Sequence, residues 1–272
     1  MASSTTSVCY VYGIVPSTLD PTSAPAGLDD APVALEACDH VAALVSAVDA
    51  ETYASPVVEG STADVEWMSP RAVAHDRVLT WASDRGAVVP MPMFSLFSGR
   101  PAVQHMLRER SPQLGATLSR VARGREYALR VYRVDAELMD AMATLSPRLA
   151  ELAATAAAAT PGQRYLLERK LEGEKRTEIR GVTHDIVQEI TGALSADAVE
   201  MVTSPIPRVS DADVGRGTMV LNAAFLVAPD RLPSFQKTLT TLVDRHGSRG
   251  FRFDFTGPWP PYHFAGAGED AT

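Results

Sequence analysis

Apolar positions along this chain follow two periods. Residues 8–15, VCYVYGIV, are apolar, β-branched and aromatic without polar alternation, which predicts a central strand covered on both faces. A loop rich in Pro, Ser and Thr, STLDPTSAPAG, follows. Residues 33–37 and 41–48 predict two further short strands, although the alanine content leaves a helix open for the second. Helix starts then share one grammar. Ser69-Pro70, Ser146-Pro147 and Thr160-Pro161 each place an N-cap hydroxyl before a proline at the first helical position, where the missing N–H costs nothing. Gly99-Arg100-Pro101 is a weaker version. These predict helices over about 70–85, ended by a left-handed cap at Gly86, and over 101–121. Between them AVVPMPMFSLF predicts short strands broken at Pro90 and Pro92, hence an edge or a bend.

From residue 125 the pattern is clearer. REYALRVYRVD predicts a strand with Leu129 and Val131 on the pleats opposite Arg130 and Tyr132. A helical region follows, with the alanine-rich LAELAATAAAAT at its middle. A long helix runs from Gln163 to about Ala198, charged in its first half. Its second half carries Ile179, Val182, Ile186, Ile190 and Leu194 on one stripe. Then come strands near 200–209 and 217–227, a helix over 230–246 and a strand over 250–256. That last strand alternates Phe251, Phe253 and Phe255 with Arg252, Asp254 and Thr256. The order β-α-β-β-α-β, with extra helices in the first crossover, is that of a ferredoxin-like domain. The fold class expected is therefore α+β in two domains: an N-terminal α+β domain over 1–123 and a modified ferredoxin-like domain with inserted helices over 124–264. A flexible tail over 265–272 completes the chain.

Composition narrows the function. The chain has 272 residues, 46% hydrophobic, with a formal net charge of −8, enough for two buried cores. The acidic balance argues against general nucleic-acid binding, which needs a surplus of Lys and Arg. Cys9 and Cys38 sit in apolar segments without CxxC spacing and are expected as reduced, buried thiols. The opening MASSTTS has no positive region before an apolar run, and no apolar run reaches the ~20 residues that span a bilayer. A soluble intracellular protein without membrane association is expected.

No catalytic motif emerges. There is no phosphate-cradling GxxxxGK[ST], no GxGxxG after a strand and no GxSxG elbow. Gly215-Arg216-Gly217 precedes a strand and reads as a turn. His75-Asp76 and His184-Asp185 are adjacent on predicted helices, where neighbours diverge by ~100°. No histidine pair has the HExxH or HxxxH spacing of a zinc site. Catalytic, cofactor-binding and metal-ligating residues are accordingly expected to be absent.

Two segments remain as partner contacts. Glu168, Arg169 and Glu172, with Lys170, Glu174, Lys175 and Arg176, form either a docking stripe or a solvated helix face laced with i,i+4 pairs such as Glu172–Arg176. DFTGPWPPYHF, residues 254–264, holds Trp259, Tyr262 and Phe264 among three prolines. Prolines fix φ and favour an extended path. The segment reads either as a latch that staples the chain end onto a domain or as an aromatic anchor for a partner.

The combination of VCYVYGIVP (8–16), VVPMPMFSLFSGRPAVQHML (88–107), YALRVYRV (127–134), GQRYLLERKLE (162–172) and FDFTGPWPPYHF (253–264) resembles the gas vesicle protein GvpL/GvpF family. The closing GPWPPYxF is the most specific piece. In the midsection Ser95 stands where glycine is usual and Leu96 where threonine is usual, so no loop-specific role carries over. The resemblance implies a non-enzymatic accessory protein of gas vesicle formation, cytoplasmic and associated with the vesicles. It implies two α+β domains, the second modified ferredoxin-like. It also implies partners: the small, very hydrophobic major gas vesicle shell protein, and other gas vesicle accessory proteins. The alternative reading is a regulatory module that binds a ligand on its ferredoxin-like domain.

Overall fold

A computed structural model describes residues 7–61, 64–145, 147–207 and 215–266. The chain divides into two compact units: Met1–Glu126 with Pro258–Thr272, and Tyr127–Gly257.

In the first unit the apolar opening run forms β1 (Ser7–Pro16). It pairs antiparallel with β3 (Val41–Asp49), which pairs with β2 (Ala34–Cys38). On the other edge of β1 lie two-residue strands, β4 (Val89–Pro90) and β5 (Leu96–Phe97). The proline-broken segment thus supplies an edge, as proline's missing N–H demands. Helix α1 (Ser55–Ser61) follows β3. Helix α2 (Val65–Ser83) packs through Ala74, Val78, Leu79 and Ala82 against Tyr10 and Tyr12. Helix α3 (Arg100–Val121) buries Val103, Leu107, Leu114 and Leu118 against Cys9, Val11 and Ile14. Both faces of β1 are therefore covered, which is why residues 8–15 show no polar alternation. The register shifts between Val11 and Gly13. This bulge turns Ile14 to the α3 side and Val15 to the α2 side, an inversion of the pleat that a uniformly apolar run conceals.

Two local expectations are corrected. Helix α2 does not begin at Ser69-Pro70. Asp64 caps it, accepting from Glu66 N at 3.0 Å and Trp67 N at 3.2 Å, and Pro70 lies inside the helix. A carboxylate that satisfies two orphan N–H groups outranks the Ser-Pro signal five residues later. Nor is Gly86 a left-handed cap: Asp84 ends the helix, and Gly86 is not among the positive-φ glycines. The other three starts hold, at Arg100, Pro147 and Pro161, although Ser146 lies outside the described residues. The Thr160 hydroxyl bonds the Gln163 side chain rather than the helix backbone.

In the second unit the chain runs β6 (Arg125–Arg133, its first two residues belonging to the first unit), α4 (Asp135–Leu145), α5 (Pro147–Ala158), α6 (Pro161–Ser195), β7 (Glu200–Thr203), β8 (Thr218–Val227), α7 (Leu232–His246) and β9 (Phe251–Trp259). The sheet order is β7-β8-β6-β9. β7 is shorter than expected, and 208–214 lie outside the described residues. One face of the sheet presents Leu129, Val131, Leu221, Ala223, Phe225 and Val227 to the α6 stripe Ile186, Ile190 and Leu194 and to Phe235 and Leu239 of α7. Gly217 precedes β8 at φ 100°, where an added Cβ would overlap the Arg133 carbonyl. The Gly-Arg-Gly stretch is thus a turn required by close backbone approach. Cys9 and Cys38 are unpaired, Cys9 buried and Cys38 half-buried.

β9 ends in the segment GPW, and α8 (Tyr262–Ala265) follows. Residues 258–264, expected in the second domain, belong to the first unit. Of the expected tail, 267–272 lie outside the described residues.

Candidate functional site

The closing segment is fastened to the first unit residue by residue. Pro260 and Pro261 are buried, and Phe264 is 0% exposed. The carboxylate of Glu126, itself buried, accepts from the His263 backbone N at 3.0 Å and pairs with His263 Nδ1 at 2.7 Å. Tyr262 Oη donates to Asp76 Oδ1 on α2 at 2.9 Å. Arg120 of α3 donates to the Phe264 carbonyl. Burial, and then the Asp76 carboxylate, push the Tyr262 phenol up, so it stays a neutral donor at any physiological pH.

Beside this staple opens a cleft of 1060 Å³. Helix α2 contributes Ala72, His75 and Asp76, and α3 contributes Arg110, Gln113, Leu114 and Thr117. Pro90, Met91, Pro92 and Met93 come from the loop, and Tyr262 from α8. The loop is held from beneath. His75 Nδ1 bonds Tyr10 Oη at 2.7 Å, and the same imidazole hydrogen-bonds the Met91 backbone. Tyr10 Oη also accepts from Phe94 N at 3.3 Å. Phe94 sits at φ 63°, a conformation bulky residues adopt only when their surroundings impose it. Its ring stacks on Trp67 at 5.5 Å. Burial holds His75 down to about 4, so it is neutral near pH 7 and serves as a satisfied clamp, not as a base. Asp76, its neighbour in sequence, bonds Tyr262 instead, and the two form no dyad.

The sequence-derived contact residues therefore part ways. Tyr262 lines the cleft and is 42% exposed, as is Trp259. Phe264 is corrected: a fully buried ring serves the latch and has no surface to offer a partner. Arg169 lies exposed on α6, while the side chains of Glu168 and Glu172 lie outside the described residues. A second cleft, of 860 Å³, lies between α5 and α6 over Ala154, Ala158 and Leu166. Glu126, which holds the staple, escaped the sequence reading, and His75 was considered there only as a neighbour of Asp76, not as a clamp. The only signal was a lone carboxylate in VARGRE and a histidine on an apolar helix face. Among the described residues no three His, Cys, Asp or Glu groups gather as a metal site, and no helix is long and apolar enough to cross a membrane.

Two units, each with an antiparallel sheet, define a mixed helix-and-sheet fold. The same fold occurs in the crystal structures of gas vesicle protein GvpF from Anabaena sp. and from Microcystis aeruginosa. Their TM-scores are 0.69 and 0.65 at 21% and 22% identity, each covering 95% of this chain and 98% of the other. In sequence, the chain is 28% identical over 267 residues to gas vesicle protein L1 of Halobacterium salinarum, covering 94% of this chain and 89% of the relative. It is 26% identical to gas vesicle protein L of a Streptomyces species over 244 residues, 90% and 87% of the two chains. The family model for gas vesicle synthesis protein GvpL/GvpF matches residues 8–266, and the chain belongs to that family. It is a protein of gas vesicle formation.

Proposed function

We propose that this protein is a non-catalytic assembly factor that binds the hydrophobic major shell protein, with or without other accessory proteins, and assists nucleation or growth of the gas vesicle shell. Membership of the family over nearly the whole chain carries this reading. A small subunit with a large exposed apolar face needs cover before assembly, and a rigid scaffold with a part-apolar cleft is suited to provide it. The order β7-β8-β6-β9 supports treating the second unit as a ferredoxin-like domain with two inserted helices in its first crossover. The protein would act in the cytoplasm, at growing vesicles. Trp259 and Tyr262, exposed beside the staple, and Arg169 on α6 are the contact residues we retain.

The test is co-expression with the major shell protein, followed by measurement of shell protein in the soluble fraction and in complex. The expected outcome is a soluble complex. Shell protein that stays insoluble, with no complex recovered, would overturn direct binding.

A further inference from the structure

We propose that β9 is the interaction surface for a second copy of this chain, the two β9 strands pairing antiparallel, edge to edge, about a two-fold axis at Phe253. The inference does not depend on shell-protein binding. A free strand edge is a row of unpaired N–H and C=O groups that invites another strand, and proteins blunt such edges with short strands, prolines or inward-pointing charge. The first sheet ends in β2 on one side and in β4 and β5 on the other, and the second sheet ends in β7 and β9. All but β9 are blunted. β2 turns the Glu36 carboxylate inward, 5% exposed, onto Arg100 and Gln104 of α3. β4 and β5 are two residues long, and β4 ends in Pro90. β7 has four residues, with Pro205 and Pro207 just beyond it. β9 has nine, and residues 251–257 contain no proline. Its inward row is phenylalanine, and that row is incompletely covered. Phe251 is 1% exposed, whereas Phe253 and Phe255 are only partly buried against the same core. A strand laid along this edge brings further rings beside them.

The sequence FRFDF, residues 251–255, specifies both the occupant and the register. With the axis at Phe253, Phe253 faces its own copy, Phe251 faces Phe255 of the second copy, and Arg252 faces Asp254 of the second copy. Aromatic opposes aromatic and positive opposes negative, and both apolar rows stay on one face of a continuous sheet. An axis at Arg252 would oppose two arginines, and one at Asp254 two aspartates. An axis between residues would oppose phenylalanine to charge. The ion pairs within each copy extend across the axis. Arg216 donates to Asp254 at 3.1 Å, and Arg252 donates to Glu137 at 2.6 Å. Joined at the axis, they alternate in sign from Arg216 and Asp254 of one copy to Arg252 and Glu137 of the other. A carboxylate has acceptor sites for more than one donor. Each copy spends its β9 edge once, so the contact closes at a dimer.

The experiment is sedimentation velocity on the full chain over about 1–100 μM, the range suited to a modest interface. A species of twice the 29.1 kDa chain mass is expected to grow with concentration. A parent that stays monomeric throughout overturns the proposal. Arg252→Asp and Asp254→Arg, each checked for folding by circular dichroism, put like charges opposite each other twice per dimer. Each alone is expected to dimerise about tenfold more weakly or worse. Mixed, the two variants again oppose positive to negative, and a heterodimer within about threefold of parental affinity is expected. Mixing mends no ion pair inside either copy, so recovery reports the contact between copies. Single variants that dimerise like the parent, or a mixture that stays monomeric, overturn the proposal. Should either variant not fold, amide exchange of the parent decides. Protection over residues 251–256 is expected to rise with protein concentration, and unchanged protection there overturns the proposal.

Discussion

His75 links packing to pH. In the unfolded chain its imidazole titrates near the ordinary value of 6.5, and in the folded protein burial lowers that to about 4. Below pH 6.5 the unfolded state therefore binds the extra proton and the folded state does not, so stability falls as pH drops through this window and stops falling below about 4. The shift corresponds to about 3 kcal/mol at full extent. Denaturant unfolding at pH 7 and at pH 4.5 should show most of that loss in the parent protein, and a much smaller one in His75→Gln. Equal pH dependence in the two would assign the titration elsewhere. The staple residues make a second prediction. Phe264→Ala opens a cavity under a fully buried ring and should cost about 3–5 kcal/mol. His263→Ala removes one of two bonds to the buried Glu126 carboxylate and should cost about 1–3 kcal/mol.

Among the elements, β9 and its extension have divided allegiance. Phe251, Phe253 and Phe255 pack into the core of the second unit, while the chain from Pro258 onward belongs to the first. A chain ended after Gly257 should therefore lose amide-exchange protection in α2 and α3, whose side chains Asp76 and Arg120 hold the staple. Protection in α7 and β8 should persist. Loss confined to α7 and β8 would contradict this assignment. The elements themselves were largely legible. The α6 stripe and the alternating β9 positions declare their periods over enough residues to be unambiguous. The start of α2 was misread because Ser69-Pro70 satisfies the same local rule as Asp64, and the sequence does not show that the Asp64 carboxylate takes both orphan N–H groups. The staple was legible as a stiff aromatic segment. Its destination was not, because proline restricts a chain's path without naming the surface it reaches.

For the molecule as a whole, each unit gathers its own core around a four- or five-stranded sheet, and family membership places both in gas vesicle formation. The acidic surplus sits almost wholly in the first unit, the unit that holds the cleft beside α8. Periodicity, capping residues and composition were enough to set most of the order of strands and helices, because those features depend on neighbours a few positions apart. The cleft was another matter. It brings together residues from 72 to 266, and its clamp pairs Tyr10 with His75 across sixty-five positions. The bulge after Val11, the burial of Phe264 and the pairing of Glu126 with His263 likewise arise only where distant segments meet. Contacts of that range leave no periodic trace in a chain, and only the packed fold decides them.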